Sequence, residues 1–216
     1  MFTGEMVLAI LEGRKTQTRR VVNPQPFLER DLLEPFNPKA FLFAIKQDVG
    51  TTRMLGRQNY VREISPYQPK MKLWVREKFK LWDYDFETVN VQYDAGDDDE
   101  RDKYVNGFTT ATKPKSLFKK KLDGNKAWHP SIFMPRWASR ITLEITEVRA
   151  ERLNNISPFD ALAEGINPKD HGMHSSKCNG LMPEVCCFRN LWDSINSKKH
   201  PWSSNPWVWV ISFKRL

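Results

Sequence analysis

Stretches that are typical of β-strands lie far apart in this chain, and this spacing constrains the fold more than any other feature of the sequence. The strongest stretch is SRITLEITEVRAERL (139–153), in which Ile141, Leu143 and Ile145 alternate with polar residues. The apolar face shifts in phase near Thr146, as it does at a bulge. Three further strand candidates are KTQTRRVV (15–22), KLWVREKFKLW (72–82) and NPWVWVISFKRL (205–216).

Two segments interrupt this pattern and are predicted to be insertions. The first, at about 25–68, begins in a stretch with four prolines, NPQPFLERDLLEPFNPK, and is predicted to be an irregular excursion. The second, at about 83–127, contains the acidic run DAGDDDERD followed by the basic run KPKSLFKKK. Charge runs of this kind are typical of solvated loops or hairpins. The chain is therefore predicted to be a single domain, 1–216, with two insertions.

Capping signals predict short helices between the strands. Thr3 is a candidate N-cap for a first helix that Gly13 ends. The stretch SPFDALAEGI has Ser157 as N-cap, proline at the first helical position and Gly165 as the stop. A third helix is predicted over CCFRNLWDSINSKK (186–199). Scattered strands with short helices between them indicate an α+β fold, a small mixed β-barrel flanked by helices, and not a doubly wound sheet.

The charge of the chain favours polyanionic partners. Lysine and arginine total 34 against 26 aspartates and glutamates, which gives a formal net charge of +8. Such a surface binds RNA, DNA or nucleotides through their phosphates, although a merely basic protein has the same balance. The sequence shows neither a membrane span nor a basic leader. Three clustered cysteines make a poor disulfide framework, which fits a cytoplasmic protein. The sequence has no glycine-rich phosphate-binding loop, so no nucleotide cofactor is predicted.

Several motifs together give the chain a family likeness. ILEGRKTQTRR, LWVREKF, MPRWASRITLEITEVRAERL and ALAEGI resemble the ASCH domain, the PUA-like β-barrel named after activating signal cointegrator 1. With the C-terminal LWDSINSKKHPWSSNPWVWVISFKRL, the pattern is similar to the phage and prophage branch of that family. The resemblance covers about half of the chain and leaves out both insertions. The resemblance implies that the protein acts in the cytoplasm of a bacterial host. The chain departs from many family members at Met71 and Lys72, where those members have Gly-Asp.

This resemblance implies a pocket for a base or nucleoside beside the GRKT element. One branch of the family hydrolyses the acetyl amide of N4-acetylcytidine with a lysine, a threonine and a glutamate. By motif these correspond to Lys15, Thr18 and Glu164. Other branches are linked to ribonuclease activity or to RNA binding.

The chemistry of these three residues suits amide hydrolysis, which needs a nucleophile, a proton carrier and oxyanion donors. Thr18 supplies a hydroxyl, and Lys15 is a candidate base if burial or nearby arginines lower its pKa. Glu164 could orient Lys15 or carry a proton. In an extended strand, Lys15 and Thr18 would point to opposite faces, so they converge only if the chain turns after Gly13. The alternatives are a solvated turn for the lysine and the threonine, and a helix-surface carboxylate for the glutamate.

A second set of residues consists of candidates for substrate or nucleic-acid binding. Arg76 and Glu77 either line the pocket or form a strand ion pair. Trp137 either stacks on a base or belongs to the core at the strand entry. No metal site is predicted, because His171 and His174 have no tight Cys-x-x-Cys pairing beside them. The full set of binding candidates is Arg14, Thr16, Arg19, Arg76, Glu77, Arg136 and Trp137.

The sequence therefore predicts a nucleoside- or RNA-binding protein that hydrolyses N4-acylated cytidine, without a cofactor. Two alternatives stay open, a non-catalytic RNA- or DNA-binding module and a ribonuclease. Loss of turnover in Lys15→Ala with the fold kept would separate the enzyme from the binding module. A binding module would instead show a steep salt dependence of its affinity.

Overall fold

The computed structural model describes residues 2–26, 42–46, 52–84, 88–95, 108–112, 128–167 and 180–216. It is a mixed α+β structure with antiparallel sheets and short helices. Most of the acidic run, the basic run, His171 and His174 lie outside the described residues. In chain order the elements are helix α1 (Gly4–Leu11), strand β1 (Gln17–Val21), β2 (Leu42–Lys46), β3 (Thr52–Gly56), helix α2 (Arg57–Ile64), β4 (Lys72–Trp74), β5 (Phe79–Tyr84), β6 (Thr88–Tyr93), β7 (Phe108–Thr112), β8 (Thr142–Arg152), helix α3 (Pro158–Ala163), helix α4 (Pro183–Asn196) and β9 (Trp207–Arg215).

The chain forms two compact units. The first unit contains Met1–Arg14, Lys72–Glu144 and Arg215–Leu216. The second unit contains Lys15–Met71 and Ile145–Lys214. The first unit thus combines both ends of the chain with its middle, and the second unit consists of the two segments between them.

The sheet of the second unit is built on the C-terminal strand. β9 lies between β1 and β8, and β1 pairs with β9 in antiparallel register from Gln17 opposite Ser212 to Val21 opposite Val208. The long strand predicted over 139–153 is confirmed as β8, and its buried positions shift from the odd to the even series beyond Thr146, as predicted. β9 is buried on both faces from Trp207 to Ile211, and its Val208 and Val210 pack against residues of helices α3 and α4.

Helices α3 and α4 cover the core of the second unit. The capping prediction for α3 is confirmed, since the Ser157 hydroxyl accepts a hydrogen bond from the Asp160 amide at 3.1 Å and Gly165 has a φ of +86°. α4 begins at Pro183, three residues before the predicted start. The core between helices and strands consists of Leu153, Ile156, Ala161, Ile166, Val185, Phe188, Trp192, Val208 and Val210.

The prediction that residues 25–68 form an irregular excursion is wrong for the described part of this segment. β2 and β3 form an antiparallel hairpin, and α2 follows directly. Tyr60 of α2 stacks on Trp209 of β9 with ring centroids 5.4 Å apart, and both side chains are buried. An aromatic contact of this kind gives the helix a fixed place on the sheet.

In the first unit the strand predicted over 72–82 is broken into two. β4 pairs with the first three residues of β8, whereas β5 pairs with β6, which in turn pairs with β7. The break occurs because the two halves of this stretch bond to different partners. The first helix is confirmed as α1, with Thr3 as its N-cap. One apolar cluster of this unit contains the buried residues Phe79, Val91, Tyr93, Met134 and Ala138.

Two further observations concern the chain as a whole. The expectation that the cysteines form no disulfide is wrong for Cys186, which is disulfide-bonded, while Cys187 is a free thiol. Within the described part of the chain, none of the helices is long and apolar enough to cross a membrane.

Candidate functional site

The residues just before β1 are held between a helix end and a strand. The Thr16 amide donates to the Ala163 carbonyl at 2.9 Å, and the Phe213 amide donates to the Thr16 carbonyl at 2.8 Å. Lys15 is directly before this clamp and forms an antiparallel bridge with Glu164. The backbone therefore fixes where the Lys15 side chain begins.

The side chain of Lys15 meets Glu164 in a buried environment. Its Nζ donates to the Glu164 Oε2 atom at 2.8 Å and to the Glu164 backbone carbonyl at 2.7 Å. Lys15 is 2% exposed and Glu164 is 5% exposed. Glu164 is the C-cap of α3, so the lysine also binds the end of a helix, where a positive charge is favoured. The structure thus brings together two of the three residues predicted to be catalytic.

Arg19 binds the second oxygen of the same carboxylate. Its Nη1 donates to Glu164 Oε1 at 3.2 Å and to Gln17 Oε1 at 2.8 Å. Its Nη2 donates to Glu151 Oε1 at 2.7 Å and is 3.4 Å from Asp160 Oδ2. The Arg19 side chain is 1% exposed, and both of its terminal nitrogens are already bonded within the protein. Its predicted role in nucleic-acid binding finds no support in this geometry.

Arg149 extends the network towards the surface. It donates to Asp160 at 2.9 Å and to Glu151 at 3.3 Å. Lys15, Arg19 and Arg149 together face the carboxylates of Glu164, Glu151 and Asp160. These three cations and three anions balance each other, which lets the charges persist away from water.

Burial shifts the acidity of the site. Desolvation lowers the pKa of Lys15 below its ordinary value of 10.5, and the positive charges of Arg20 and Arg19 act in the same direction. The Glu164 carboxylate opposes this shift but does not cancel it. A lysine of this kind gives up its proton more readily than one in water, as a general base must.

The carboxyl of Asp160 is shifted towards its charged form. Burial raises the pKa of Asp160, but the hydrogen bond from Arg149 and the charge of Arg19 more than offset burial, and the net pKa is lowered. Asp160 therefore keeps its negative charge beside Arg19.

Thr18 lies on the other side of β1. Gln17 and Arg19 are hydrogen-bonded to each other through their side chains, so they share one face of the strand. Successive side chains of a strand alternate between faces, which puts Thr18 on the opposite face. It is buried at 7% exposure. The alternation anticipated from the sequence is therefore present in the fold, while Lys15 and Glu164 converge.

The other binding candidates near the GRKT element are exposed. Thr16 is exposed, and its described hydrogen bonds are those of its backbone. Arg14 belongs to the first unit and forms an ion pair with Glu12.

In the first unit, Glu77 does not pair with its neighbour Arg76. Arg140 holds it through two hydrogen bonds, at 3.0 Å and 2.9 Å, so of the two alternatives left open for residues 76 and 77, the structure does not show the ion pair. Burial raises the pKa of Glu77, and Arg140 opposes that shift. Trp137 is half-buried and packs against the core of this unit, as the core alternative predicts. Arg136 is exposed, as Arg76 is.

Sequence reasoning missed four members of the charged network. Gln17, Arg149, Glu151 and Asp160 all contact Arg19 or its partners. A signal existed, because positions 15, 17 and 19 share one face of an extended segment, as do 149 and 151. The shared faces alone therefore indicate that Gln17 lies with Lys15 and Arg19, and that Arg149 lies with Glu151.

In the portion of the chain that the structure covers, no group of three or more His, Cys, Asp or Glu side chains lies close enough to hold a metal ion.

Comparison with known proteins identifies no relative. No protein-family model, no curated protein and no solved structure matches the chain.

Proposed function

We propose that the protein is a hydrolase that removes the acyl group from N4-acetylcytidine or a similar nucleoside, within an ASCH-type, PUA-like barrel. The observation that carries this proposal is the buried pair of Lys15 and Glu164, joined at 2.8 Å. These are the residues to which the GRKT and ALAEGI motifs assign the chemistry. A surface ion pair would not explain why a lysine is 2% exposed and has a lowered pKa.

In the proposed reaction Lys15 is the general base. Its neutral amine takes a proton from water as the water oxygen attacks the carbonyl carbon of the amide. The tetrahedral intermediate collapses, the bond between carbon and N4 breaks, and the ammonium of Lys15 returns its proton to the leaving N4. The products are a carboxylic acid and cytidine. Glu164 holds the Lys15 amine in place through both hydrogen bonds.

Water is the preferred nucleophile in this scheme because Thr18 lies on the face of β1 opposite Arg19, which binds the same carboxylate as Lys15. The role of Thr18 as nucleophile, which the family resemblance implies, stays a prediction. The substitution Thr18→Val separates the two possibilities and is discussed below.

The test is cytidine release from N4-acetylcytidine, followed by chromatography. Wild-type protein should release cytidine, and Lys15→Met should lose at least about a hundredfold, the typical contribution of a general base. Lys198→Met is the matched control, because Lys198 is an exposed lysine of the same unit. Circular dichroism of each variant reports whether the fold is kept. Absence of release by wild-type protein, or equal rates in wild type and Lys15→Met, would contradict the proposal.

A further inference from the structure

A group of arginine and aromatic side chains lies on the first unit, and we call it the arginine–tryptophan surface. The guanidinium carbon of Arg76 lies 4.4 Å from the centroid of the Trp74 ring, and that of Arg136 lies 5.9 Å from the same ring. Its members are Trp74, Arg76, Ile132, Phe133 and Arg136. Two cations thus share one indole, which lies on the three-residue strand β4.

Both arginines are held in position. Arg76 donates through Nη1 to the Ile132 carbonyl at 3.3 Å. Arg136 donates through Nη2 to the Thr142 hydroxyl at 3.3 Å, and Thr142 is the residue opposite Trp74 in the sheet. Contact with an aromatic face and a fixed acceptor orders a guanidinium before any ligand arrives.

Neither arginine is neutralised by a carboxylate within the described residues. The contrast is with Arg140 of the same unit, whose charge is matched by Glu77 through two hydrogen bonds. Arg76 and Arg136 are exposed, and among the described residues their partners are neutral oxygen atoms and the indole ring. Two ordered, uncompensated positive charges on a chain of net charge +8 favour an anion as the missing partner.

Exposed apolar side chains lie in the segment that Arg76 contacts. Ile132, whose carbonyl accepts from Arg76, is 55% exposed, and its sequence neighbour Phe133 is 70% exposed, both in the short 3-10 helix of residues 131–133. Ordered cations and an exposed aromatic residue in the same unit suit a ligand that has both a negative charge and a flat apolar group. Unpaired nucleotides have this combination, because the phosphate is charged and the base stacks.

We propose that the arginine–tryptophan surface binds single-stranded nucleic acid. Arg76 and Arg136 each bind a phosphate, and a base stacks on Phe133 and on the outer face of a guanidinium. Single strands are preferred over duplexes because the bases of a duplex are already stacked and paired. This inference does not depend on the hydrolase activity, and its test measures binding alone.

The test is fluorescence anisotropy of labelled oligouridylate and oligothymidylate of about 12 nucleotides with the full chain, titrated with salt. Wild-type protein should bind, and the double substitution Arg76→Gln with Arg136→Gln should weaken binding. The slope of log affinity against log salt should fall by about 1.4, which is about 0.7 for each lost phosphate contact on a single strand. Phe133→Ala should weaken binding by roughly 5- to 100-fold without changing that slope.

The matched control is Arg62→Gln with Lys198→Gln, which removes the same two charges from exposed positions of the second unit. It should keep affinity within about twofold, since neither charge belongs to the arginine–tryptophan surface and exposed charges outside the contact are screened at moderate salt. Equal loss in the control would show general charge attraction and overturn the proposal. So would absence of oligonucleotide binding, or displacement of the oligonucleotide by polyglutamate at equal charge, which would indicate an acidic protein partner. RNA and DNA arms that bind equally show that the phosphate and base suffice, and a preference for RNA adds the 2′-hydroxyl.

Discussion

The Nζ atom of Lys15 donates hydrogen bonds to both the carbonyl and the carboxylate of Glu164, 149 residues away in the sequence. The same carboxylate accepts a bond from Arg19 through its other oxygen. One glutamate thus joins two cations and also ends helix α3. This arrangement should affect the free energy of unfolding in two ways, through the titration of Lys15 and through the ion pairs of Arg19.

Lys15 should make the stability of the protein depend on pH. Because desolvation lowers the pKa of Lys15 in the folded state, the unfolded chain binds more protons between that lowered pKa and 10.5. The free energy of unfolding should therefore rise with pH in this window through Lys15, and Lys15→Met should remove that rise. Urea unfolding at a series of pH values measures the difference between the two proteins. Parallel pH profiles would show that the pKa of Lys15 is not lowered.

Removing Arg19 should destabilise the protein strongly. Arg19→Met leaves the carboxylates of Glu164 and Glu151 without their common partner, and breaking a buried ion pair costs about 3–5 kcal/mol. Arg14→Met, at an exposed pair with Glu12, should change the free energy of unfolding by less than about 0.5 kcal/mol. Urea unfolding of both variants is the measurement. Similar small changes in the free energy of unfolding for both variants would show that the buried ion pairs of Arg19 do not stabilise the protein.

Thr18→Val distinguishes water from the threonine hydroxyl as nucleophile. Valine keeps the shape of the side chain but has no hydroxyl, and Thr18 lies on the strand face opposite Lys15. We expect turnover of N4-acetylcytidine to stay within about tenfold of wild type. A side chain that neither attacks the substrate nor transfers a proton affects the rate only through the packing around the site. A loss as large as that of Lys15→Met would assign the nucleophile to Thr18.

The ion pair of Glu77 and Arg140 should stabilise the first unit. Arg140→Met leaves a carboxylate that is 1% exposed without its partner, at a cost of about 3–5 kcal/mol. Adding Glu77→Gln should recover part of this loss, because an amide is cheaper to bury than an unpaired charge. A double-mutant cycle by urea unfolding gives the coupling free energy. A coupling near zero would show that the two side chains act independently.

Features set by neighbouring residues could be predicted from the sequence. The caps at Thr3 and Ser157 and the alternation in β8 depend on residues only a few positions apart. The break between β4 and β5 could not, because it depends on which distant strands the two halves pair with. Motif resemblance singled out Lys15 and Glu164, but only the fold shows that they touch and that Arg19 binds the same carboxylate. The pairing of Glu77 with Arg140 could likewise not be predicted, because the two residues are 63 positions apart in the sequence.

The stacking of Tyr60 on Trp209 has a consequence for how this chain can change in length. Both residues are 3% exposed, and Trp209 would lose this aromatic neighbour if helix α2, which carries Tyr60, were removed. Shortening the chain between β1 and β4 would therefore uncover an indole on the C-terminal strand and leave a hydrophobic gap that new side chains would have to fill. Deletions in this region are limited by the packing of the sheet, independently of any effect on the chemistry of Lys15 and Glu164.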